Sequence, residues 1–421
     1  MNVDRLFARL AGPRVLSALE GWSVGRLTVG LPDGSSRTFG PRGATPATAI
    51  RIHRDAFFRR FALQGDLGAG ESYMDGDWTA DDLPLFMRLV LLNRRHLPLE
   101  TPLSKLLNLG NDLRHRLRRN SRGGSRRNIR YHYDLSNDFF ALFLDETMTY
   151  SSALFAHEAE PLAQAQRNKF RQLAQKALLG PEDHVLEIGC GWGGFALYAA
   201  QACGCRVTGV TISEEQYRVA RQRVRDAGLE DRVEIRLQDY RDLSGRFDKI
   251  VSIEMFEALG QENWRPFFRK CEDVLAPGGL LALQAISIPD HRFDEYTKHC
   301  DWLQKWIFPG SLLASTLGIT RALVRAGTLG IHHLEDVGIH YALTLRRWRQ
   351  AFHANLDRVR ALGFDERFVR MWDYYLATCE AAFETRTLGN LQLVLTRDVN
   401  GALPGIPSSL AGRTDAREAA A

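Results

Sequence analysis

Short apolar runs bounded by turn residues alternate with stretches of helical pattern from about residue 129 onward. The runs read HVLEIG, CRVTGVTI, RVEIRLQD, FDKIVSIEM and GGLLALQAI. Strands separated by helices pair in parallel, because each helix returns the chain to the same end of the sheet. The alternation therefore predicts an α/β fold, a mainly parallel Rossmann-like sheet with helices on both faces.

The chain is too long for that domain alone. Its 421 residues exceed one ordinary core and accommodate two domains. Two short β-patterned runs flank a Pro-Asp-Gly turn in residues 26–40, which predicts a hairpin, and residues 47–54 alternate again. We expect four segments: a small N-terminal α+β domain (1–93), a basic linker with an amphipathic helix (94–128), the α/β domain (129–400) and a flexible tail (401–421).

The composition excludes several classes of protein. Apolar residues make up 45% of the chain and charged residues 25%, as in a globular protein rather than a disordered one. No run approaches the roughly 18 apolar residues of a membrane-spanning helix, and the N-terminus has no continuous apolar segment typical of export. Six cysteines without a CxxC pair argue against disulfides or a zinc site. We expect a cytoplasmic protein with reduced thiols and no bound metal.

Positive charge is concentrated in one segment. The whole chain carries +5, but residues 94–130 hold ten Arg and one Lys against two acids, a net +9, so the remainder sums to −4. Such a block typically meets the phosphates of nucleic acid or anionic lipid. Leucines on one helical face followed by clustered arginines predict a helix lying on anionic membrane phospholipids, with a solvated linker as the alternative. The clustered arginines are Arg114, Arg116, Arg118 and Arg119.

The segment EIGCGWGG (187–194) follows the first strand of the α/β domain and opens a helix. Gly189, Gly191 and Gly193 let the backbone approach a ligand at the carboxyl end of the sheet. The same segment also fits the GxGxxG fingerprint of dinucleotide-binding proteins, so the spacing by itself does not choose the cofactor.

Three details favour S-adenosylmethionine (SAM) over a nicotinamide dinucleotide. Glu187 stands two residues before the first glycine, where methyltransferases place a carboxylate facing the methionine end. The next strand ends in Val-Thr-Ile-Ser (210–213), without the acid that binds ribose in dinucleotide enzymes. Asp239 closes the third strand and is suitably placed for an adenine amino group. The loop therefore predicts a SAM site.

Seven motifs follow in order between about 129 and 400: YHYDLSNDFFALFLDETMTYSS, LEIGCGWGG, VTGVTISEEQ, LQDYRDL, MFEALG, KWIFPG and YYLATCEAAF. Together with GDLGAGESYMDGDW (65–78) they resemble the cyclopropane-fatty-acyl-phospholipid synthase family. The resemblance implies a class I SAM methyltransferase that acts on a cis-alkene in a phospholipid acyl chain. It also adds five residues to the cofactor site: Tyr150, Ser151, Thr211, Gln216 and Tyr240.

Methyl transfer to an alkene leaves a carbocation, and ring closure then needs a base at the added methyl group. The resemblance implies a bound bicarbonate for this task, with Glu257, Ile286 and Tyr341 at positions that match its ligands. Two other ligand positions differ, because Ser152 stands where the family has Cys and Gln284 where it has His. Both side chains still offer hydrogen bonds to an anion, but Gln284 cannot accept a proton as His could.

Two further residues are candidates for the chemistry. Glu254 lies three residues before Glu257, one turn away if the segment is helical, and could raise a neighbouring pKa or replace the anion as base. The alternative is a strand-end carboxylate facing solvent. Cys379 matches a Cys associated with activity in the family and shares a helical face with Tyr375 and Phe383. A packed core thiol is the alternative for Cys379.

The sequence leaves several activities open. Cyclopropane formation is the first, and the departures at Ser152, Gln284 and Ala258 keep a second open, a methyl- or methylene-branched chain formed without ring closure. A small-amine N-methyltransferase would share the fold and the spacing of the two glutamates, but would leave the basic segment unused. A nucleic-acid methyltransferase is disfavoured because the NPPY-type motif is missing. We expect an enzyme that is peripheral on the inner face of the membrane, with a homodimer as an open expectation.

Overall fold

The computed structural model describes residues 3–97, 136–401 and 403. The four arginines predicted to contact phospholipid, and the linker that carries them, lie outside the described residues except for positions 94–97. The described residues form two sheets, one of four strands and one of seven.

The first sheet belongs to the N-terminal part of the chain. Its strands are β1 (Arg26–Gly30), β2 (Ser36–Phe39), β3 (Ala47–Ile52) and β4 (Trp78–Ala80), in the order β2-β1-β3-β4. The helices are α1 (Val3–Ala18), α2 (Ala56–Gln64), α3 (Asp66–Met74) and α4 (Leu83–Asn93). β1 and β2 pair antiparallel, with Leu27 opposite Phe39, so the hairpin predicted around the Pro-Asp-Gly turn is confirmed.

The second sheet has the order β10-β11-β9-β8-β5-β6-β7. Its strands are β5 (His184–Ile188), β6 (Arg206–Thr211), β7 (Val233–Leu237), β8 (Phe247–Ile253), β9 (Leu275–Ser287), β10 (Leu329–Asp336) and β11 (Gly389–Arg397). β7, β6, β5, β8 and β9 run parallel, whereas β11 and β10 are antiparallel to their neighbours. The predicted mainly parallel sheet is confirmed.

Helices connect these strands and cover the sheet. They are α5 (Asn137–Phe140), α6 (Leu162–Lys176), α7 (Gly194–Tyr198), α8 (Glu214–Asp226), α9 (Trp264–Val274), α10 (Asp290–Tyr296), α11 (Trp302–Trp306), α12 (Thr316–Ala326), α13 (Gly338–Ala354), α14 (Leu356–Ala361) and α15 (Glu366–Glu384). Short polar side chains cap several of them. Ser213, for example, begins α8 by accepting from the backbone N–H of Gln216 at 3.3 Å.

The two parts of the chain share one aromatic core. Tyr73 of α3 packs against Tyr374 of α15, with ring centroids 5.5 Å apart, and its hydroxyl donates to Asp373 at 2.8 Å. Gly70 lies so close to α11 that a Cβ there would stand 2.5 Å from the Trp302 indole. The motif at 65–78 therefore packs the N-terminal part directly against helices of the second part.

The described residues bear on the expectations about membrane spans, metal ions and thiols. None of their helices combines the length and the apolar character that crossing a bilayer requires. No group of three or more His, Cys, Asp or Glu side chains among them could hold a metal ion. All six cysteines are free thiols.

Candidate active site

The glycine loop lies between β5 and α7, at the carboxyl end of the parallel strands. Gly189 and Gly191 both have positive φ, 83° and 52°. A Cβ on Gly189 would stand 2.7 Å from the Met255 side chain, whereas a Cβ on Gly191 would meet no atom within 4 Å. Gly189 is therefore required by close packing, and Gly191 by its conformation beside open space.

That open space is a cavity of about 1100 Å³. Nine of the ten residues predicted to bind the cofactor line it: Tyr150, Ser151, Glu187, Gly189, Gly191, Thr211, Gln216, Asp239 and Tyr240. The tenth, Gly193, caps α7 in a left-handed conformation and does not line the cavity. We call this space the loop cavity.

Glu187 is the carboxylate at the inner end of the loop cavity. Its side chain is buried, and within the described structure its Oε2 atom has no hydrogen-bond partner. Burial raises the pKa of Glu187 to about 8, with Lys169 acting in the opposite direction. A buried acceptor without a donor is costly, so this carboxylate suits a ligand that brings a cationic amino group. The methionine end of SAM has such a group.

The opposite end of the loop cavity carries polar groups from β6 and the turn after β7. The Thr211 hydroxyl donates to Oε1 of Gln216 at 2.9 Å, which fixes that amide. Asp239 is buried and held by Arg241, whose Nη2 lies 2.6 Å from Oδ2. The Tyr240 hydroxyl is buried without a partner in the described residues, and burial raises its pKa. These groups fit the adenosine part of SAM.

A second cavity, of about 1130 Å³, adjoins the first. The two share Tyr150, Glu254 and Ala258 as lining residues. Most of its other lining residues are apolar or aromatic, and they come from β9, α11, α13, α15 and the loops after α11 and α15: Ile286, Leu303, Phe308, Leu313, Tyr341, Leu345, Tyr375, Cys379, Phe383 and Leu388. We call this space the apolar cavity.

Glu254 lies where the two cavities meet, directly after β8, with a φ of 49°. Its Oε1 accepts from three N–H groups: the Ser152 backbone at 3.0 Å, Gln284 Nε2 at 2.8 Å and Asn390 Nδ2 at 2.7 Å. A left-handed conformation is strained for a non-glycine residue, and such strain concentrates at functional sites. Glu254 therefore lies in the lining of both cavities, and the alternative of a solvent-facing carboxylate is wrong.

Glu257 follows in a short 3₁₀ turn (Phe256–Ala258), so the two glutamates do not share an α-helix. Its Oε1 accepts from the Ile286 backbone N–H, and its buried Oε2 has no partner within the described residues. Burial, followed by repulsion from Glu254, raises the pKa of Glu257 to about 8. Glu257 is thus mainly protonated at neutral pH.

Of the predicted bicarbonate ligands, Glu257, Ile286 and Tyr341 line the apolar cavity, but the other two do not. Ser152 and Gln284 are fully buried and line neither cavity. The Ser152 hydroxyl donates to the Ala153 carbonyl at 3.0 Å, and the Gln284 amide donates to Glu254. The Tyr341 hydroxyl is also hydrogen-bonded to Glu254. Three of the expected ligands, Ser152, Gln284 and Tyr341, therefore contact the Glu254 carboxylate, and the first two do not face a cavity that could hold bicarbonate.

Four aromatic side chains line the apolar cavity together with Glu254: Tyr150, Tyr341, Tyr375 and Phe383. The hydroxyls of Tyr150 and Tyr375 are 2.7 Å apart, and the rings of Tyr341 and Phe383 stack at 4.5 Å. Burial raises the pKa of the Cys379 thiol, so this side chain is neutral in the wall of the apolar cavity. That placement agrees with a packing role for Cys379.

Three polar residues of the site escaped prediction. Asn390 and Gln392 stand two apart in the apolar strand GNLQLVLTR, a polar alternation on one face that could have marked them. Lys169 of α6 is buried and donates to the Ser151 hydroxyl at 2.7 Å. Burial lowers the pKa of Lys169 to about 7, against the attraction of Glu254. In the sequence, Lys169 is a single lysine in an amphipathic helix, and no pattern marks it as part of the site.

The strand order and a glycine-loop cavity with an acid at each end define a class I SAM-dependent methyltransferase. Residues 120–393 match the family model of the mycolic acid cyclopropane synthetases. This stretch is most of the chain, and the chain belongs to that family. The resemblance found in the sequence is confirmed.

Two curated relatives match over most of the chain. A tuberculostearic acid methyltransferase of Mycobacterium tuberculosis is 44% identical over 361 residues, 84% of each chain. A cyclopropane-fatty-acyl-phospholipid synthase of Escherichia coli is 37% identical over 366 residues, 86% of this chain and 91% of the relative. Both names denote enzymes of lipid modification, but they name different products.

Solved structures agree with the class. A cyclopropane synthase from Mycobacterium tuberculosis superposes with a TM-score of 0.60 at 27% identity, over 64% of this chain and 97% of that one. A mycolic acid cyclopropane synthase complexed with SAH has a TM-score of 0.59 at 29% identity, over 64% of this chain and 97% of that one. Coclaurine N-methyltransferase, at 20% identity and a TM-score of 0.58 over 78% of this chain and 97% of that one, shows the fold alone. SAM is the cofactor of this chain.

Proposed function

We propose that this enzyme adds a one-carbon unit from SAM to the cis double bond of a phospholipid acyl chain. The observation that carries the proposal is the position of Glu254, a carboxylate held at the junction of a cofactor cavity and an apolar cavity. When bound, SAM supplies an electrophilic methyl group. The chain supplies a dry, apolar space for the alkene and a proton acceptor beside it.

The apolar cavity suits a hydrocarbon chain better than a small amine. Its walls are mostly aliphatic and aromatic, and burial raises the pKa of two acids in its lining, Glu257 and Asp301. Removing water protects a carbocation on the acyl chain from hydration. The faces of Tyr150, Tyr341 and Phe383 can stabilise the same positive charge through their ring quadrupoles.

Glu254 is the base in this proposal. Three N–H groups donate to Oε1, so we assign proton uptake to Oε2, and the Tyr341 hydroxyl also bonds to this carboxylate. Glu257 is unsuited to the role at neutral pH, because its raised pKa keeps it protonated. A neutral Glu257 also avoids placing a second negative charge beside Glu254.

The proton that Glu254 removes comes from the added methyl group. If the electrons of that C–H bond close onto the adjacent cationic carbon, the product is a cyclopropane ring. If a hydride first shifts between the two former alkene carbons, loss of the same proton gives a methylene branch. Both routes add one carbon and two hydrogens in total. We propose the cyclopropane as product, and the 44% identity to a tuberculostearic acid methyltransferase supports the branched chain as the second candidate.

Expression in a host without such lipids tests the proposal. Mass spectrometry of its phospholipids should show acyl chains heavier by one methylene group, and proton NMR then separates cyclopropane from exomethylene signals. Glu254→Gln should reduce product by about 10²–10⁴-fold, the usual contribution of a general base. Unmodified lipids with wild-type enzyme, alongside methylation of small amines by the purified protein, would count against it.

A further inference from the structure

A chain of hydrogen bonds leads from Glu254 to the edge of the α/β domain. Gln284 Nε2 donates to Oε1 of Glu254 at 2.8 Å, and Gln392 Nε2 donates to Oε1 of Gln284 at 2.9 Å. Lys176 Nζ donates to Oε1 of Gln392 at 2.7 Å and also forms an ion pair with Glu335. We call these links, from Lys176 to Glu254, the amide chain.

The sheet register builds the amide chain. Gln392 of β11 is the direct partner of Gln284 of β9 and of Glu335 of β10. Gln284 in turn pairs with Ile253, the residue before Glu254. Directly opposed residues on neighbouring strands project from the same face, which brings their side chains into contact. Lys176 reaches this face from the last turn of α6.

The amide chain has a single direction. Lys176 can only donate, so each following amide turns its oxygen toward the lysine and its NH₂ toward the glutamate. The two amide dipoles therefore align between a cation and the Glu254 carboxylate, an arrangement in which each hydrogen bond strengthens the next. Hydrogen bonds of this kind stabilise the charged form of a carboxylate.

We infer that Lys176 and Gln392 are positioning residues that keep Glu254 ionised and correctly oriented for proton removal. Neither lines a cavity, and both act through Gln284. A buried Gln pair is costly within an apolar sheet unless its polar groups are satisfied, and the amide chain satisfies them. The inference rests on the proposed role of Glu254 as base.

Other charged or titratable groups face Glu254 from the surrounding elements. Glu257, in the 3₁₀ turn, is repelled by it, and Lys169 of α6 attracts it. Burial raises the pKa values of Tyr341 of α13 and Tyr375 of α15, and the charge of Glu254 adds to both shifts. A substitution of Lys176, at the far end of the amide chain, leaves all of these groups unchanged. Its effect on Glu254 therefore comes from the amide chain.

The test is the pH profile of kcat/KM, with anionic vesicles of unsaturated phospholipid as substrate. The acid limb is the part of the profile where kcat/KM falls as pH decreases. Lys176→Met and Gln392→Leu should move it to higher pH by about 0.5–1 pH unit, because the charged form of Glu254 is then less stabilised. Lys176→Arg keeps the donor and the charge and should restore the wild-type limb. Lys270→Met, the same change at a lysine bonded to the Leu243 carbonyl, is the matched control and should not shift it.

A second readout needs no turnover. Carbon-13 NMR of protein labelled at the glutamate carboxyls, with Glu254→Gln used for assignment, should show the Glu254 resonance titrating at higher pH in Lys176→Met. Unchanged acid limbs and resonances in folded Lys176→Met and Gln392→Leu proteins that bind SAM would overturn the inference. Full activity in Glu254→Gln is a separate result, which would overturn the base assignment itself.

Discussion

Asn390 Nδ2 lies 2.7 Å from Oε1 of Glu254, although 136 residues separate the two in the chain. Asn390 is the second residue of β11, an antiparallel strand, and Glu254 directly follows the parallel strand β8. The contact therefore ties the C-terminal strand of the sheet to the junction of the two cavities. It is also one of the three N–H bonds that hold the proposed base.

The pair makes Asn390→Asp an informative substitution. An aspartate would replace the N–H donor with a second carboxylate in contact with Glu254, and two such groups cannot both ionise easily. We expect the acid limb of the activity profile to move to higher pH by one unit or more, on the order of a close like-charge pair. Asn390→Ala, which removes the donor without adding charge, should shift it less. An equal shift in both variants would mean that charge is not the cause.

Much of the fold was predictable because local pattern and tertiary structure agree. The runs HVLEIG and CRVTGVTI form β5 and β6, since strands buried on both faces are apolar throughout. The antiparallel edge was not predicted. Nothing local in GNLQLVLTR tells whether that strand runs with or against β9, because direction is set by the path of the chain around it.

The state of Glu187 predicts a pH-dependent SAM affinity. Its pKa of about 8 means that the free protein holds a proton there at neutral pH, and a cationic ligand must displace it. Affinity should therefore rise with pH up to about 8 and then level off, and binding at pH 7 should release close to one proton. Calorimetry in buffers of different ionisation enthalpy measures that proton. Glu187→Gln should bind weakly and release none, and proton release by that variant would contradict the assignment.

The conformation at Gly191 predicts a specific loss of cofactor binding. A valine there would project from a positive-φ position into the loop cavity, so SAM affinity measured by calorimetry should fall below detection. Gly228 is the matched control, because it also has positive φ and open space but lies away from both cavities. Gly228→Val should bear a similar backbone strain and keep its affinity. Equal SAM binding by both folded variants would mean that Gly191 does not lie against the cofactor.

The site was less predictable than the fold, for a physical reason. Glycines and acids at strand ends are set by local sequence, and nine of the ten predicted cofactor residues do line the loop cavity. The surroundings of Glu254 arise from contacts between β8, β9 and β11, which only the folded sheet brings together. Family likeness suggested Ser152 and Gln284 as anion ligands, whereas their N–H groups are bound to Glu254.

We propose that the basic segment docks the enzyme on anionic phospholipid. Replacing Arg114, Arg116, Arg118 and Arg119 with Gln should abolish sedimentation with anionic vesicles, since each arginine contributes about 1 kcal/mol on such a surface. Wild-type binding should weaken with salt. A fourfold Arg→Gln control at exposed positions elsewhere (206, 218, 321 and 358) should sediment like wild type. Equal sedimentation of all three proteins would mean that the segment is a solvated linker that does not bind lipid.

The two glutamates should respond very differently to the same substitution. Glu257 is protonated at neutral pH, and glutamine copies its shape and neutrality, so Glu257→Gln should retain most activity at pH 7. Glu254→Gln removes the proton acceptor and should lose about 10²–10⁴-fold. Because Glu254 already takes the N–H bonds that an anion would need, depleting bicarbonate should leave the wild-type rate unchanged.

The matched pair also identifies the base if the assignment is wrong. A large loss in Glu257→Gln, with restoration of the Glu254→Gln rate by added bicarbonate, would show that a soluble anion takes the proton. Affinity for SAM should be the same in both variants, because we assign the amino group of SAM to Glu187, which neither substitution changes. A loss of rate with unchanged cofactor binding then locates the defect in proton transfer and not in the loop cavity.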